Sequence, residues 1–410
     1  MNTQFFFISI DGLTDPLGQS QVIPYLTGLA KKGFTITIVS CEKDGNFVRN
    51  KETVAALLKT ANIKWKYCFY NSKIPLLSQW LNYRRLKQFA ANEVKYLKDD
   101  CVIHCRSYLP ALIGLSLKRK YGAKFIFDMR GFWANERVDG NIWKLSNPIH
   151  KRLFNYFKKK EKILINEADY IVTLAETGKQ IVSEWMDDKT KPVQVIPCCA
   201  DVNHFTILSA EEKLNAREKT GISKDAFILG YLGSIGTWYM LDEMLDFFIE
   251  LKKKKDNAVL FFVTQDNKNK IIEAAARKNI DKSSIIIKPG QRNEVPHLVS
   301  TFDAGLFFIK PLFSKQGSSP TKMAEILACG IPVITNTGVG DCDKIINETN
   351  CGLLVSGFTI ENYNSTLASL DNELKKSPEV YRKVAVDKFS LEDGVSRYEK
   401  IYNYLLSETK

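Results

Sequence analysis

Short apolar runs and amphipathic segments alternate along this 410-residue chain, and they do so twice over. FFFISI reads as a buried strand, DGLTDPLGQSQ as a loop, QVIPYLTGLAKKG as a helix stopped by Gly33, and FTITIVS as the next strand. The same order returns at VIHCRSY, LPALIGLSLKRKYG and KFIFDMRG, and again at DYIVTL, a helix over 177–185, and VQVIPC. Strands that are apolar throughout, separated by helices, can bury both faces only in a parallel sheet covered on both sides. The fold class is therefore α/β.

After VIPCCADVNHF the chain turns polar through LSAEEKLNAREKTGISKD and then restarts the pattern. The strands FILGYLG, AVLFFVT, SIIIKPG, AGLFFIK and PVITN alternate with the helices MLDEMLDFFIELKKKK, about 268–278, and PTKMAEILACG. These shifts predict a doubly wound domain over 1–200, a second over 201–385, and a last amphipathic helix over 386–410 that packs back on the first domain. Paired domains of this kind bind ligands in the cleft where the carboxyl ends of their strands converge.

Charge is unevenly spread. Residues 1–200 hold 31 Lys and Arg against 18 Asp and Glu, a net of +13, while the remainder holds 27 against 28. The first half is thus suited to an anionic partner: membrane lipid, a phosphorylated acceptor or nucleic acid. In KRLFNYFKKKEKILI, residues 151–165, apolar residues at helical spacing lie beside a run of lysines. The segment reads either as an ordinary core-facing helix or as one lying on an anionic bilayer. No stretch reaches the roughly 20 apolar residues of a spanning helix. MNTQFFFISIDG lacks a basic leader, and the nine cysteines form no disulfide pattern. Both features predict a cytoplasmic protein with reduced, buried thiols. Cys101, His104 and Cys105 fit a buried strand better than a metal site, since no second cluster completes the ligand set.

The segment with most chemistry is GSSPTKMAEILACGIPVITNTGVGD, from Gly317 to Asp341. Ser319 is placed to cap a helix, Pro320 to open its first turn, and the amides of that turn to hold an anion together with Ser318, Ser319 and Lys322. Glu325, one turn on, can accept hydrogen bonds from a ribose diol. The same two side chains also suit a plain Lys322–Glu325 salt bridge. The pair Asp341 and Asp343 lacks a third acidic partner, so no metal site is expected.

This string resembles the donor-binding helix of the family-four retaining glycosyltransferases, whose fold is called GT-B. VIPCCADVNHF is similar to that family's interdomain linker, FILGYLGSIGTWY to the opening strand and glycine loop of its donor domain, and DGLTDPLGQSQVIPYLTGLAKKG to its first acceptor-domain loop and helix. The resemblance spans nearly the whole chain. It implies two Rossmann-like domains facing a central cleft, a nucleotide sugar as donor, and Glu325 on the nucleotide ribose. It also implies that Gly233 and Ser234 belong to the donor loop, and that Gln265, Lys288, Gly290 and Arg292 lie near the base. The family's second Glu, eight residues before the first, is Gly317 here. Its basic pair after the glycine loop is replaced by GSIGTWYMLDE, which leaves the diphosphate to Lys322, the amides at Ser318 and Ser319, and Arg130 or Arg292.

Two further places complete the expectations. FDMRGFWANERVDGNIW follows a strand and holds Asp128 and Arg130 near the point where related enzymes carry a sugar-contacting His. Either Arg130 reaches the diphosphate or sugar, oriented by Asp128, or the two form a structural ion pair. Gly12 and Gly18 either let the backbone approach a ligand or simply shape a turn.

The expected reaction is transfer of a sugar from a nucleoside diphosphate to an acceptor hydroxyl of a lipid-linked surface glycan. Retention is implied by the resemblance, Asp128, Arg130 and Lys322 act at the reacting centre, and neither cofactor nor metal takes part. An anionic membrane surface is an expected partner and nucleic acid is not. An inactive sugar-nucleotide-binding subunit and a nucleotide-sugar epimerase on the same fold are the alternatives.

Overall fold

The computed structural model describes residues 3–71, 75–95 and 101–407. They form two compact units, one of residues 1–197 with 391–410 and the other of residues 198–390. The changeovers fall three residues before, and five residues after, the boundaries at 200 and 385 read from sequence.

In the first unit β1 (Gln4–Ser9), β2 (Thr35–Glu42), β3 (Lys64–Phe69), β4 (Cys101–Arg106), β5 (Lys124–Asp128), β6 (Tyr170–Thr173) and β7 (Val193–Val195) make one sheet. Their order is β3-β2-β1-β4-β5-β6-β7 and every pairing is parallel. Ile8 of β1 stands level with Val39 on one side and Cys105 on the other. β1 is buried almost throughout, which is why it reads as an unbroken apolar run. The helix Tyr108–Tyr121 presses on this sheet at Gly114, where a Cβ would lie 2.5 Å from the Cys105 sulfur.

The expected single helix after β1 is two, Pro16–Gln21 and Ile23–Lys31. Pro24 has no N–H to donate into the first helix, so the chain turns at Val22 and starts again. The helix Leu391–Ser407 completes this unit. Its Tyr402 stacks on Phe5 at 4.1 Å and its Val395 closes on Gly28. Full burial of one such ring stabilises by roughly 1.5–3 kcal/mol.

The second unit has a parallel sheet of β8 (Phe227–Leu232), β9 (Ala258–Val263), β10 (Ile285–Lys288), β11 (Ala304–Phe307), β12 (Val333–Asn336) and β13 (Gly352–Val355). The order is β10-β9-β8-β11-β12-β13. The polar stretch after residue 208, for which the sequence pattern predicted no element, contains the helix Ala210–Thr220. It is closed by a Ser209–Glu212 capping box and by Gly221 in the left-handed region. Arg217 of this helix reaches Asp303 at 2.6 Å, and Asp303 accepts from the Ile228 amide at the start of β8. All nine cysteines are buried thiols.

Candidate functional site

In each sheet the strand order reverses between two neighbours, β1 and β4 in the first unit and β8 and β11 in the second. The connections leaving such a pair run to opposite sides, so their carboxyl ends open a crevice. In the second unit the crevice is bordered by Gly233 after β8 and by the segment between β11 and the helix Thr321–Ala328.

Lys322, on the first turn of that helix, is the unusual group. Only 5% of the residue is exposed, and its Nζ has no hydrogen-bond partner among the described residues. It lies 3.6 Å from the centre of the Tyr239 ring and 3.9 Å from that of Tyr231. Burial pushes the amine well below its ordinary value, with Glu325 and Asp266 pulling it back only in part. Two ring faces offer an ammonium ion partial compensation, whereas a bound anion would offer far more. Gly233, at φ +96°, brings the loop close, since a Cβ there would stand 3.8 Å from the Lys322 nitrogen. The Tyr231 hydroxyl donates to the Ser234 carbonyl at 2.5 Å, and the Ser234 hydroxyl donates to Asp266 at 2.9 Å.

Glu325 does not pair with Lys322. Its Oε1 accepts from Arg292 Nη1 at 2.7 Å, which replaces the Lys322–Glu325 salt bridge offered by the sequence. Burial raises the Glu325 carboxyl above its usual range against the pull of Arg292. Arg292 is itself held in place: its guanidinium lies 5.1 Å from the centre of the Phe205 ring, and its carbonyl accepts from His204 Nε2 at 3.0 Å. Gln265 donates to the Gly290 carbonyl at 3.0 Å and so ties the end of β9 to the loop after β10. Ser319 is not the helix cap. Pro320 occupies that position, and the Ser319 hydroxyl accepts from the Cys198 amide at 3.1 Å. Ser318 ends the short turn Phe313–Gly317. Gly233, Ser234, Gln265, Arg292, Ser318, Ser319, Lys322 and Glu325 thus belong to one region of the second unit.

Sequence reasoning missed the aromatic half of this region. Where a basic pair was sought after the glycine loop, Trp238 and Tyr239 each carry a lysine from elsewhere, Lys315 at 3.9 Å and Lys322 at 3.6 Å. The adjacent WY was visible, but contacts 77 and 83 residues away were not.

Asp128, Arg130 and Gly18 lie in the first unit. Asp128 ends β5, is 1% exposed, and accepts from the Tyr398 hydroxyl at 3.1 Å, with His104 Nε2 at 3.5 Å. Arg130 Nη1 is 3.7 Å from its other oxygen, and Arg130 itself has φ +57°, a strained value for a residue with a Cβ. Burial opposes ionisation of Asp128. The Arg130 charge, with His104 and Arg106, outweighs it and holds the carboxyl below the usual range. Gly18 packs tightly, since a Cβ would meet the Gly12 carbonyl at 2.2 Å. That loop is bound to Glu42, which accepts from the Leu13 amide at 2.8 Å and the Thr14 hydroxyl at 2.6 Å. Among the described residues no three His, Cys, Asp or Glu side chains group as a metal ion requires, and Asp343 instead accepts from the Gly338 amide.

Two parallel α/β units of this topology, the second with a buried lysine and glutamate on the helix after its switch point, define the GT-B class of glycosyltransferase. Residues 21–204 match the model of Glycosyltransferase Family 4 and residues 212–384 that of Glycosyl transferases group 1. The chain belongs to the family-four glycosyltransferases. It is 23% identical over 338 residues to D-inositol 3-phosphate glycosyltransferase of Corynebacterium jeikeium, covering 78% of this chain and 77% of that one. Over 153 residues it is 29% identical to the lipopolysaccharide glucosyltransferase WaaG of Escherichia coli, covering 37% and 39%. Among solved structures, sucrose-phosphate synthase of Thermosynechococcus elongatus superimposes with a TM-score of 0.76 at 14% identity, over 99% of this chain and all of that one. HepE of Anabaena, in complex with UDP-glucose, gives 0.71 at 13% over 98% and 99%. At such identities these superpositions establish the fold alone.

Proposed function

We propose that the second unit binds a nucleoside-diphosphate sugar and that the enzyme transfers the sugar, with retention, to a hydroxyl of a lipid-linked surface glycan. The observation that carries this reading is the Lys322 ammonium, buried at the start of a helix without a hydrogen-bond partner among the described residues. A diphosphate supplies the missing negative charge, and the amides of Thr321 and Lys322, which come before the bond from Met323 to the Pro320 carbonyl, supply donors. Glu325, held by Arg292, takes the ribose diol. As the sugar leaves, charge builds on the diphosphate, and a fixed cation with helix-terminal amides stabilises it without any metal. Arg130 contacts the sugar or diphosphate and Asp128 orients it. UDP-glucose in HepE and the lipopolysaccharide acceptor of WaaG support the donor and acceptor classes.

Gly317, where the family commonly has a glutamate, favours one second reading: a subunit that binds the donor without turning it over. Thermal stabilisation by UDP, GDP, ADP, CMP and their sugars tests the main reading. One nucleotide stabilises the wild type, by about 2.7 kcal/mol at a hundredfold excess over Kd, and not Glu325→Ala. No shift with any of them would overturn it. A shift without release of nucleoside diphosphate in the presence of acceptor would establish the second reading.

A further inference from the structure

The first unit carries an open groove of about 750 Å³ that neither the donor reading nor the family assignment uses. The helix Tyr108–Tyr121 contributes Leu109, Leu112 and Leu115, the helix Pro75–Val94 contributes Trp80 and Tyr83, and the helix Pro148–Glu167 contributes Leu153 and Tyr156. Among the described residues its charged lining is Arg119, Lys120 and Lys160, with no acidic side chain. Trp80 and Tyr156 are each half exposed, and Ile149, one turn before Leu153, is 61% exposed. Ile149, Leu153, Tyr156 and Lys160 follow one another at four, three and four residues, so they share one face of their helix. That face runs from a bare isoleucine through the groove to a lysine.

Leucines and half-exposed aromatic rings with basic side chains above them are what a lipid meets at a bilayer surface. Hydrocarbon enters the apolar part, rings lie at headgroup depth, and long basic side chains extend to phosphate. The Pro148–Glu167 helix adds to this charge, with six Lys and Arg against two Glu. Arg119 already pairs with Glu167, so Lys120 and Lys160 are the principal headgroup contacts. We infer that this groove seats an acyl chain of an anionic bilayer lipid and docks the first unit on a negatively charged membrane. This goes beyond the donor reading and does not depend on it.

The test is sedimentation of the full chain with phosphatidylcholine vesicles, with and without phosphatidylglycerol, together with quenching of tryptophan emission by lipids brominated along the acyl chain. Binding is expected only with phosphatidylglycerol. Trp80→Ser with Tyr156→Ser, both at half-exposed positions, lowers binding about tenfold with melting temperature unchanged. Lys120→Glu with Lys160→Glu lowers it by about fivefold per charge removed, or more. Part of the quenching disappears in Trp80→Phe. The inference is overturned if the vesicles are not bound, or if binding responds to charge reversal but not to the Trp80 and Tyr156 changes. Binding of decyl phosphate without binding of vesicles would also overturn it, since the occupant would then be a soluble amphiphile.

Discussion

The Lys322 ammonium lies 3.6 Å from the centre of the Tyr239 ring and hydrogen-bonds to none of the described residues. In this state the amine is held well below its ordinary value by burial, so part of its proton is lost as pH rises towards the alkaline side. A diphosphate would raise it again. Donor binding is therefore expected to take up a proton and to weaken with rising pH between the two values. Calorimetry in buffers of different ionisation enthalpy measures that uptake directly, and an uptake of zero would contradict it.

Lys322→Met removes the charge and keeps the stem between the rings. Stability should rise by about 1 kcal/mol or more, because an uncompensated buried amine is gone. Transfer should fall by about 100-fold or more, as for loss of one group that stabilises a leaving anion. Denaturant melts and initial rates check the two halves separately.

Tyr239→Leu keeps bulk and removes a ring face. A loss of about 1–2 kcal/mol in the affinity for charged Lys322 lowers its pKa further, so the pH at which donor binding weakens moves down. Tyr231→Phe keeps the face and removes only the hydroxyl bond to Ser234. It should leave that pH unchanged.

Arg292→Ala leaves Glu325 buried beside no guanidinium. Breaking a buried pair costs about 3 kcal/mol, and less here because Arg292 is 30% exposed. The folded carboxyl, already raised, rises further, so the folded state holds its proton to higher pH than the unfolded chain. The variant's deficit is thus largest at neutral pH and shrinks as pH falls through the raised value. A deficit independent of pH would contradict this account.

His104 is buried with Nδ1 against Tyr402 at 2.9 Å, and burial lowers its pKa despite Asp128. The unfolded chain binds that proton first, so stability is lost as pH drops below the ordinary histidine value of about 6.5. His104→Gln, which can keep a bond to Tyr402, should flatten the stability profile between about pH 6.5 and 5 relative to wild type.

Legibility in the sequence followed burial. Strands covered on both faces, such as FFFIS and FILGYL, announce themselves as apolar runs. β3 does not, because KWKYCF is an edge strand with Lys64 exposed and Trp65 and Tyr67 only half buried. The helix bearing Lys322 and Glu325 was legible from its string, yet the partner of Glu325 was not, since Arg292 arrives from a loop 33 residues earlier. Glu42, which fixes the loop after β1, was hidden for the same reason: its acceptors are filled by amides and a hydroxyl some 28 residues away.

The helix Leu391–Ser407 belongs to the first unit although the whole of the second precedes it in the chain. The second unit can close on its own residues alone, because they are contiguous. Phe5 and Phe34, made before that unit, must wait for Tyr402 to cover them. The strands and helices before residue 198 are therefore completed only after the second unit has been made, and their bare aromatic face is where a chaperone would be expected to bind the growing chain.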